Sequence, residues 1–214
     1  MDITWYGFSC FRLTERGLST IVTDPYDPEL GLAPLKLKAD VLTISQDTPT
    51  NNHEKSVKGA KKTITGAGEY EIGGVFISAI PMMKKKNGEK TDPSLVCVFD
   101  YDGIVIAHLG NLSYVPTQSE IERMGSVDVL LVPVGGEGAL NPAQAVEVIS
   151  LIEPSVVIPM RYKVGSESIQ LGDSVRFLSE VGISEPEHLP MLKVGKSSFS
   201  EETQVILLDA VQNG

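Results

Sequence analysis

The chain has 214 residues, of which 42% are apolar and 21% are charged, and its formal net charge is −10. This is a globular composition, and an acidic surface disfavours nucleic acid and anionic membranes as partners, because phosphate binding needs clustered Lys and Arg. No apolar run is long enough to span a membrane, and a strand pattern begins at once without a signal peptide, so we expect a cytoplasmic protein. Cys10 and Cys97 lie among apolar residues without metal-binding spacing, which predicts buried thiols.

The first half of the chain has the pattern of a β-meander. Alternating or β-branched apolar residues predict short strands, each bounded by turn-forming residues. These strands are predicted over residues 1–6, 10–13, 20–23, 41–44, 61–64, 69–72, 75–80, 95–99 and 104–107. The pairs Gly73-Gly74 and Asp102-Gly103 suit the positive φ of two-residue hairpin turns, so we expect a hairpin at each pair.

The second half of the chain alternates helices with buried strands. Capping-box spacing from Thr117 to Glu120 marks the start of one helix. Asn141 before a proline and Asp173 before an apolar stripe mark the starts of two more. Apolar runs predict further strands over residues 127–132, 155–159 and 203–208. Together these patterns predict one domain over residues 1–214, of the α/β (α+β) class, folded as a four-layer αββα sandwich of two mixed β-sheets.

Three polar loops follow buried strands, at residues 45–53, 108–111 and 160–162. Residues just past the carboxyl ends of strands commonly form the ligand site of an α/β protein. We therefore expect the three loops to meet at one rim and to hold the chemistry of this protein.

Six short segments follow one another in a characteristic order. They begin at Trp5, Thr23, Gly66, His108, Val127 and Val157, and include the sequences TDP, GAGEYE, HLGN and VIPMRY. As a set they resemble the metallo-β-lactamase family, in the branch of small bacterial metal-dependent hydrolases related to ascorbate-6-phosphate lactonase. The resemblance covers nearly the whole chain, and it implies the αββα fold that the strand and helix pattern also predicts.

The resemblance also implies where a metal site would be. Members hold one or two divalent metals, usually zinc or manganese, on a His-x-His-x-Asp-His loop, a further His, the Asp of a Gly-Asp turn and a His before Tyr. The metal converts a bound water into hydroxide. In this chain those positions carry other residues: Gln46, Thr48, Thr50 and Asn51 in the loop, Lys84 for the further His, Asn111 in the turn and Arg161 before Tyr. Asp24 and His108 match residues that support the family's site.

These substitutions predict that the metal site has degenerated and that the chain binds no metal cofactor. Amides and hydroxyls are weak zinc ligands, and Arg161 cannot deprotonate. An atypical single-metal site on Asp47, His53 and His108 is the alternative. Otherwise we expect His53 to be a solvent-exposed loop residue, and His108 to be buried and hydrogen-bonded to a neighbour such as Asp24.

Arg161 is predicted to replace the metal electrostatically. Without a dication, carboxylates such as Asp24 and Asp47 would remain as costly buried negative charge. An internal salt bridge from Arg161 would offset that charge. The alternative is a pocket in which Arg161 grips a small anionic ligand, a carboxylate or a phosphate, through two hydrogen bonds.

Two metal-free chemistries have weaker support. The candidate serine nucleophiles are Ser9, Ser45 and Ser113. His108 is the nearest base, but the chain has no nucleophile-elbow motif. The glycine-rich residues 134–138 precede a helix and could cradle a phosphate, but they lack the Lys and Ser/Thr of a nucleotide-binding loop.

The function predicted from these observations is non-catalytic. We expect a scaffold or ligand-binding homologue of a metal-dependent hydrolase, with a small anionic ligand and self-association into a homo-oligomer as its possible interactions. The alternative is an active metal-dependent hydrolase, of lactonase or phosphodiesterase type, with an atypical metal site. A fold shared with enzymes is weak evidence for catalysis when the catalytic ligands differ.

Overall fold

The fold is built on two large β-sheets, of six and eight strands. The computed structural model describes residues 1–83, 85–86, 89–90, 93–200 and 202–212. Lys84, the position matched to the family's further His, lies outside the described residues.

The chain forms short strands first and then alternates strands with helices. In order the strands are β1 (Asp2–Gly7), β2 (Cys10–Thr14), β3 (Ile21–Thr23), β4 (Leu37–Lys38), β5 (Val41–Thr43), β6 (Val57–Lys58), β7 (Lys62–Ile64), β8 (Gly68–Ile72), β9 (Val75–Met82), β10 (Lys85–Lys86), β11 (Glu89–Lys90), β12 (Ser94–Asp100), β13 (Val105–His108), β14 (Val129–Pro133), β15 (Val156–Met160), β16 (Glu187–Leu189), β17 (Leu192–Lys193) and β18 (Gln204–Leu208). The helices are α1 (Gln118–Glu122), α2 (Pro142–Ile152) and α3 (Ser174–Glu180), with 3-10 turns η1 (Pro28–Leu30) and η2 (Glu54–Ser56).

The six-stranded sheet has the strand order β17-β1-β2-β3-β5-β7. Strands β1, β2 and β3 are antiparallel neighbours, whereas β3, β5 and β7 run parallel to one another. Because the carboxyl ends of β3 and β5 lie side by side, the residues that follow them, Asp24 and Ser45, emerge at the same edge of the sheet.

The eight-stranded sheet has the order β16-β18-β15-β14-β13-β12-β9-β8. Its first half by sequence, β8 to β13, is antiparallel, and its second half is parallel. The two predicted hairpins are confirmed: Gly73 and Gly74 both have positive φ between β8 and β9, and so do Asp102 and Gly103 between β12 and β13.

The inner faces of the two sheets share one hydrophobic core. Trp5 and Phe11 of the six-stranded sheet belong to the same buried cluster as Ile77 and Phe99 of the eight-stranded sheet. All four side chains are at most 1% exposed. Full burial of one such side chain contributes roughly 1.5–3 kcal/mol, so this core is the main force that holds the sheets face to face.

The two outer faces are covered differently. Helix α2 packs on β14 and contacts α1 and α3. The outer face of the six-stranded sheet is covered instead by residues 25–39 with the small β4–β6 sheet, in a second cluster that contains Tyr26, Leu32, Leu37 and Val57. The predicted mixed α/β sandwich of two β-sheets is confirmed, although irregular chain and not α-helix forms this outer layer.

Several local predictions hold as well. The capping boxes at Thr117 and Asn141 are both present, and Asp173 caps α3 by accepting from the backbone N–H of Arg176. Cys10 and Cys97 are buried free thiols. Within the described part of the chain, no helix is long and apolar enough to cross a membrane.

Candidate functional site

The three polar loops meet at one rim, where hydrogen bonds join them. Asn111 Nδ2 donates to Gln46 Oε1 across 3.0 Å, which links the loop after β13 to the loop after β5. Arg161 Nη1 donates to Thr50 Oγ1 across 3.4 Å, which links the loop after β15 to the same place. The sandwich therefore gathers residues that are more than 60 positions apart in sequence.

Asp24 is the centre of this rim, and its carboxylate is fully buried. Its Oδ1 accepts from the Ser45 backbone N–H at 2.6 Å, and its Oδ2 accepts from Ser45 Oγ at 2.6 Å and from Asn51 Nδ2 at 2.7 Å. Burial raises the pKa of Asp24, while His108 and the hydrogen bonds from Ser45 and Asn51 act in the opposite direction. Amide and hydroxyl donors thus stabilise this carboxyl group.

Asn51 connects Asp24 to the other substituted positions. Its Oδ1 accepts from Thr48 Oγ1 at 2.8 Å, from Asn111 Nδ2 at 3.2 Å, and at close range from Thr50 Oγ1. We call the resulting set the rim network; it consists of Asp24, Ser45, Gln46, Thr48, Thr50, Asn51 and Asn111. Five of these residues occupy positions where the resemblance implies metal ligands, and they are now bonded to one another.

Arg161 lies against the rim network and is only 5% exposed. Its Nη2 donates to the Glu137 carbonyl at 3.3 Å, and its Nε–H has no partner among the described residues. The internal salt bridge predicted for Arg161 is absent, because no carboxylate of a described residue forms an ion pair with it. Burial lowers the pKa of Arg161, and the negative charges of Asp24 and Glu137 oppose that shift. The guanidinium makes no hydrogen bond or ion pair with Asp24, so only the through-space attraction of the two charges links them.

Backbone conformation fixes the positions of both charges. Asp24 and Arg161 have φ values of 41° and 56°, in the left-handed region that non-glycine residues rarely adopt. The Arg161 N–H donates to the Phe8 carbonyl at 2.9 Å, and Phe8 itself has a φ of 46°. Gly135 is packed so closely that a Cβ there would lie 2.1 Å from the Arg161 carbonyl oxygen. Glycine is therefore required at position 135 for this path of the chain.

His108 is buried, as predicted, but its closest partner is not Asp24. Its Nε2–H donates to the Ser9 carbonyl at 2.9 Å, and the distance from Nε2 to Asp24 Oδ2 is 4.0 Å. Burial lowers the pKa of His108, although Asp24 and the bond to Ser9 raise it. The predicted hydrogen bond to a neighbour is therefore present, with Ser9 as the acceptor and Asp24 at the outer limit of an ion pair. The sequence could not identify Ser9, because a backbone carbonyl carries no side-chain signature.

His53 and Asp47 lie outside the rim network. His53 is half-buried and not fully exposed as predicted: its side chain is 28% accessible, and Nδ1 lies 3.5 Å from Asp27 Oδ2. Asp47 accepts a short hydrogen bond from Asn52 Nδ2. Asp47, His53 and His108 are not gathered into one site, and the described residues include no group of three His, Cys, Asp or Glu placed to hold a metal ion.

The rim residues do not fit the metal that the fold family implies. The side-chain oxygens of Gln46 and Asn51 already accept hydrogen bonds from Asn111. Neutral amide and hydroxyl oxygens are weak ligands for zinc, and Arg161 places a permanent positive charge beside them. A metal ion would have to break these hydrogen bonds and would also be repelled by the guanidinium of Arg161. Both effects oppose metal binding.

Catalysis without metal finds no suitable geometry at Ser9, at Ser45 or at the Gly136 amide. Ser45 Oγ donates to Asp24, while Ser9 presents its backbone carbonyl and not its hydroxyl to His108. In the glycine-rich stretch, the Gly136 N–H donates to the Leu140 carbonyl and so cannot serve a phosphate. Sequence reasoning treated Ser45 as an ordinary strand-end residue and missed its role as a double donor to Asp24. Its position two residues past the end of β5, next to the strand that Asp24 follows, could have suggested this role.

A cleft of about 870 Å³ opens beside the rim network. Polar side chains of Gln46, Thr48 and Asn52 line one part, and apolar groups including Pro81, Pro93 and Leu95 line another. Asp47 and Glu54 add two carboxylates, and no Lys or Arg of the described residues lines the cleft. This combination favours a ligand that offers hydrogen-bond donors.

Comparisons with known proteins agree with this architecture. The beta-lactamase superfamily domain matches residues 2–161 of the chain. A UPF0173 protein of Pyrococcus abyssi is 26% identical over 185 residues, which cover 76% of this chain and 83% of that protein. A UPF0173 metal-dependent hydrolase of Thermococcus onnurineus is 26% identical over 193 residues, which cover 76% of this chain and 84% of that protein.

Solved structures extend the similarity to nearly the whole chain. A metallo-β-lactamase superfamily structure from Thermotoga maritima is 34% identical, with a TM-score of 0.79, and covers 97% of this chain and 98% of its own. The metallo hydrolase Igni18 of Ignicoccus hospitalis shares the fold, with a TM-score of 0.68 at 19% identity, covering 91% of this chain and 99% of its own. The chain therefore belongs to the metallo-β-lactamase superfamily.

Proposed function

We propose that this protein is a non-catalytic, ligand-binding homologue of the metal-dependent hydrolases. The observation that carries the proposal is the hydrogen bond from Asn51 to the buried carboxylate of Asp24. Asn51 stands at a position where the resemblance implies a metal-binding His, and its amide satisfies both Asp24 and the neighbouring hydroxyls. Hydrogen bonds from Ser45 and Asn51 compensate the buried carboxylate of Asp24 without metal, whereas an incomplete metal site would leave buried charge unpaired. Within the network, Asn111 Oδ1 is buried and has no partner among the described residues.

The cleft beside the rim network is the proposed ligand site. Gln46, Thr48 and Asn52 offer hydrogen bonds to a polar ligand, and Pro81 and Leu95 offer apolar contacts. Because the charged groups that line it are carboxylates, the cleft favours a neutral or cationic ligand over an anion. The small anionic ligand that the sequence places at Arg161 is not supported by this cleft, because Arg161 is buried and does not line it.

Metal analysis of protein purified without chelator tests the non-catalytic proposal. We expect zinc, manganese and iron far below one equivalent per chain. A variant that restores the family's donors is the matched comparison; it carries Gln46→His, Thr48→His, Thr50→Asp, Asn51→His, Asn111→Asp and Arg161→His. Restored imidazoles and carboxylates should raise zinc uptake if the family's geometry persists. One equivalent of metal in the parent protein would refute the proposal.

An active hydrolase with an atypical metal site is the second candidate. It is favoured by relatives that are themselves named metal-dependent hydrolases. Phosphodiesterase and lactonase assays with added zinc or manganese test it. Turnover that survives Asn51→Ala and Arg161→Met but requires added metal would place the chemistry outside the rim network.

Self-association and location complete the proposal. We propose a homo-oligomer in the cytoplasm that binds neither nucleic acid nor membranes, on the grounds of the family resemblance and the net charge of −10. Light scattering after size-exclusion chromatography measures the oligomer, and a mass of one chain at micromolar concentration would contradict it. Cell fractionation measures the location.

A further inference from the structure

A second concave site lies at the amino ends of strands β3 and β5 in the six-stranded sheet, whereas the rim network lies at their carboxyl ends. Its volume is about 420 Å³, and its lining includes Arg12, Thr20, Lys38, Asp40 and Lys58. Thr20 and Asp40 directly precede the parallel strands β3 and β5, whereas Asp24 directly follows β3 and Ser45 lies two residues past the end of β5. The two sites are therefore separated by the length of these strands. We call this second site the basic pocket.

Two lysines of the basic pocket are direct neighbours in the small outer sheet. In the parallel pairing of β4 with β6, Leu37 is the register partner of Val57, and Lys38 is the register partner of Lys58. The apolar pair is buried and the lysine pair is exposed. Like charges directly opposite each other destabilise a strand pair. Folding alone gives no reason for this arrangement.

The positive charge of the basic pocket is not neutralised by the residues around it. Arg12, Lys38 and Lys58 form no side-chain hydrogen bond or ion pair with any described residue. The carboxylate that lines the pocket, Asp40, already accepts from the Thr20 N–H at 3.0 Å and pairs with Lys61 Nζ at 3.7 Å. Three cationic side chains without an ion-pair partner among the described residues therefore line one pocket, in a chain whose net charge is −10.

The neighbouring surface does not supply the missing anion. A second depression shares Arg12 and Thr20 with the basic pocket and adds Arg16 and the carboxylates of Asp2 and Glu15. Among the described residues, neither carboxylate forms an ion pair with Arg12. The carboxylate of Glu15 is taken by the N-terminal amine, 2.7 Å away, and by the backbone N–H of Arg16. Its negative charge is thus already engaged.

We propose that the basic pocket binds a small multivalent anion, in particular the phosphate group of a phosphorylated small molecule. A guanidinium and two ammonium groups give charge-assisted hydrogen bonds to phosphate oxygens, and the Thr20 hydroxyl is a further donor at the wall. Bound phosphate would also remove the repulsion between Lys38 and Lys58. The site differs in chemistry from the cleft at the rim, where carboxylates and amides dominate.

Thermal unfolding with inorganic pyrophosphate tests the proposal. Pyrophosphate is compared with NaCl at equal ionic strength, so that general screening cancels. At about ten times the dissociation constant, we expect the Tm of the parent protein to rise by about 3 °C. The double variant Lys38→Met/Lys58→Met should lose this rise, and isothermal titration should show binding weakened at least about tenfold. The control Lys163→Met removes one exposed lysine elsewhere and should keep the rise.

A second readout separates loss of binding from loss of folding. In NaCl alone, the double variant should melt at the same temperature as the parent or higher, because the repulsion between the two lysines is gone. An equal response of the parent to pyrophosphate and NaCl would overturn the proposal. So would a double variant that still binds pyrophosphate as tightly as the parent protein does.

Discussion

Asn51 and Asp24 form a fully buried amide–carboxylate pair, with 2.7 Å between Asn51 Nδ2 and Asp24 Oδ2. Asn51 turns its carbonyl oxygen to Thr48, Thr50 and Asn111, so one amide side chain links the carboxylate to three neutral groups. A metal-bound imidazole can donate its second N–H to a carboxylate but has no acceptor left. The neutral amide of Asn51 provides both the N–H donor to Asp24 and an acceptor for its neighbours.

The change Asn51→Ala should destabilise the protein by about 2 kcal/mol, because it leaves Asp24 short of one donor and three groups short of an acceptor. Urea unfolding measures the free energy. Asn52→Ala is the matched control, since Asn52 bonds to Asp47 at a more accessible position and its loss should cost less than about 1 kcal/mol. Equal losses in the two variants would contradict the central role of Asn51.

Asp24 and Arg161 should be energetically coupled even though they form no ion pair. A double-mutant cycle with Asp24→Asn and Arg161→Met measures this coupling, which we expect to be about 1 kcal/mol. The exposed pair of Lys196 and Asp102, 3.0 Å apart, is the control, and its coupling should be close to zero because water screens it. Arg161→Met with the full stability of the parent would show that the guanidinium does not offset the carboxylate.

The stability should depend on pH through His108. Burial lowers the pKa of His108 below the ordinary value of 6.5, so the unfolded chain binds a proton at pH values where the folded chain does not. Stability from this group is complete above the unfolded pKa and is lost as the pH falls below about 6.5, with a slope of up to about 1.4 kcal/mol per pH unit.

His108→Gln tests this slope, because glutamine keeps an N–H donor but does not titrate. Between pH 6.5 and 5.5, the parent should lose about 1 kcal/mol more than the variant. The raised pKa of Asp24 acts in the opposite sense, since it favours the folded state as the pH falls through the folded pKa toward the unfolded one. Parallel pH profiles for parent and variant would show that His108 carries no such linkage.

Gly135→Ala should lower the free energy of unfolding by at least about 2 kcal/mol. The added Cβ would clash with the Arg161 carbonyl oxygen and displace Arg161 from its left-handed backbone conformation. Denaturant unfolding measures the loss. Gly66→Ala is the control: a Cβ there meets nothing and its φ is not positive, so stability should change by less than about 0.5 kcal/mol. A neutral Gly135→Ala would mean that residues 135 and 161 can move apart freely.

Local chemistry allowed much of the fold to be predicted. The Gly73-Gly74 and Asp102-Gly103 turns and the caps at Thr117 and Asn141 involve neighbours within four positions, and all were predicted correctly. The two-residue strands β4 and β6 were missed, because two residues show no periodicity and their pairing joins positions twenty apart. The basic pocket was missed for the same reason, since Lys38 and Lys58 become neighbours only through that pairing.

The sequence by itself determined which residue types stand at the rim, and therefore that its donors are amides, hydroxyls and one guanidinium. Only the tertiary structure decided how they are paired. It gave His108 the Ser9 carbonyl, left Arg161 without an ion pair, and set Asn51 against Asp24. These pairings depend on where backbone groups lie and on how deeply each side chain is buried. Neither quantity can be predicted from the identity of the side chains alone.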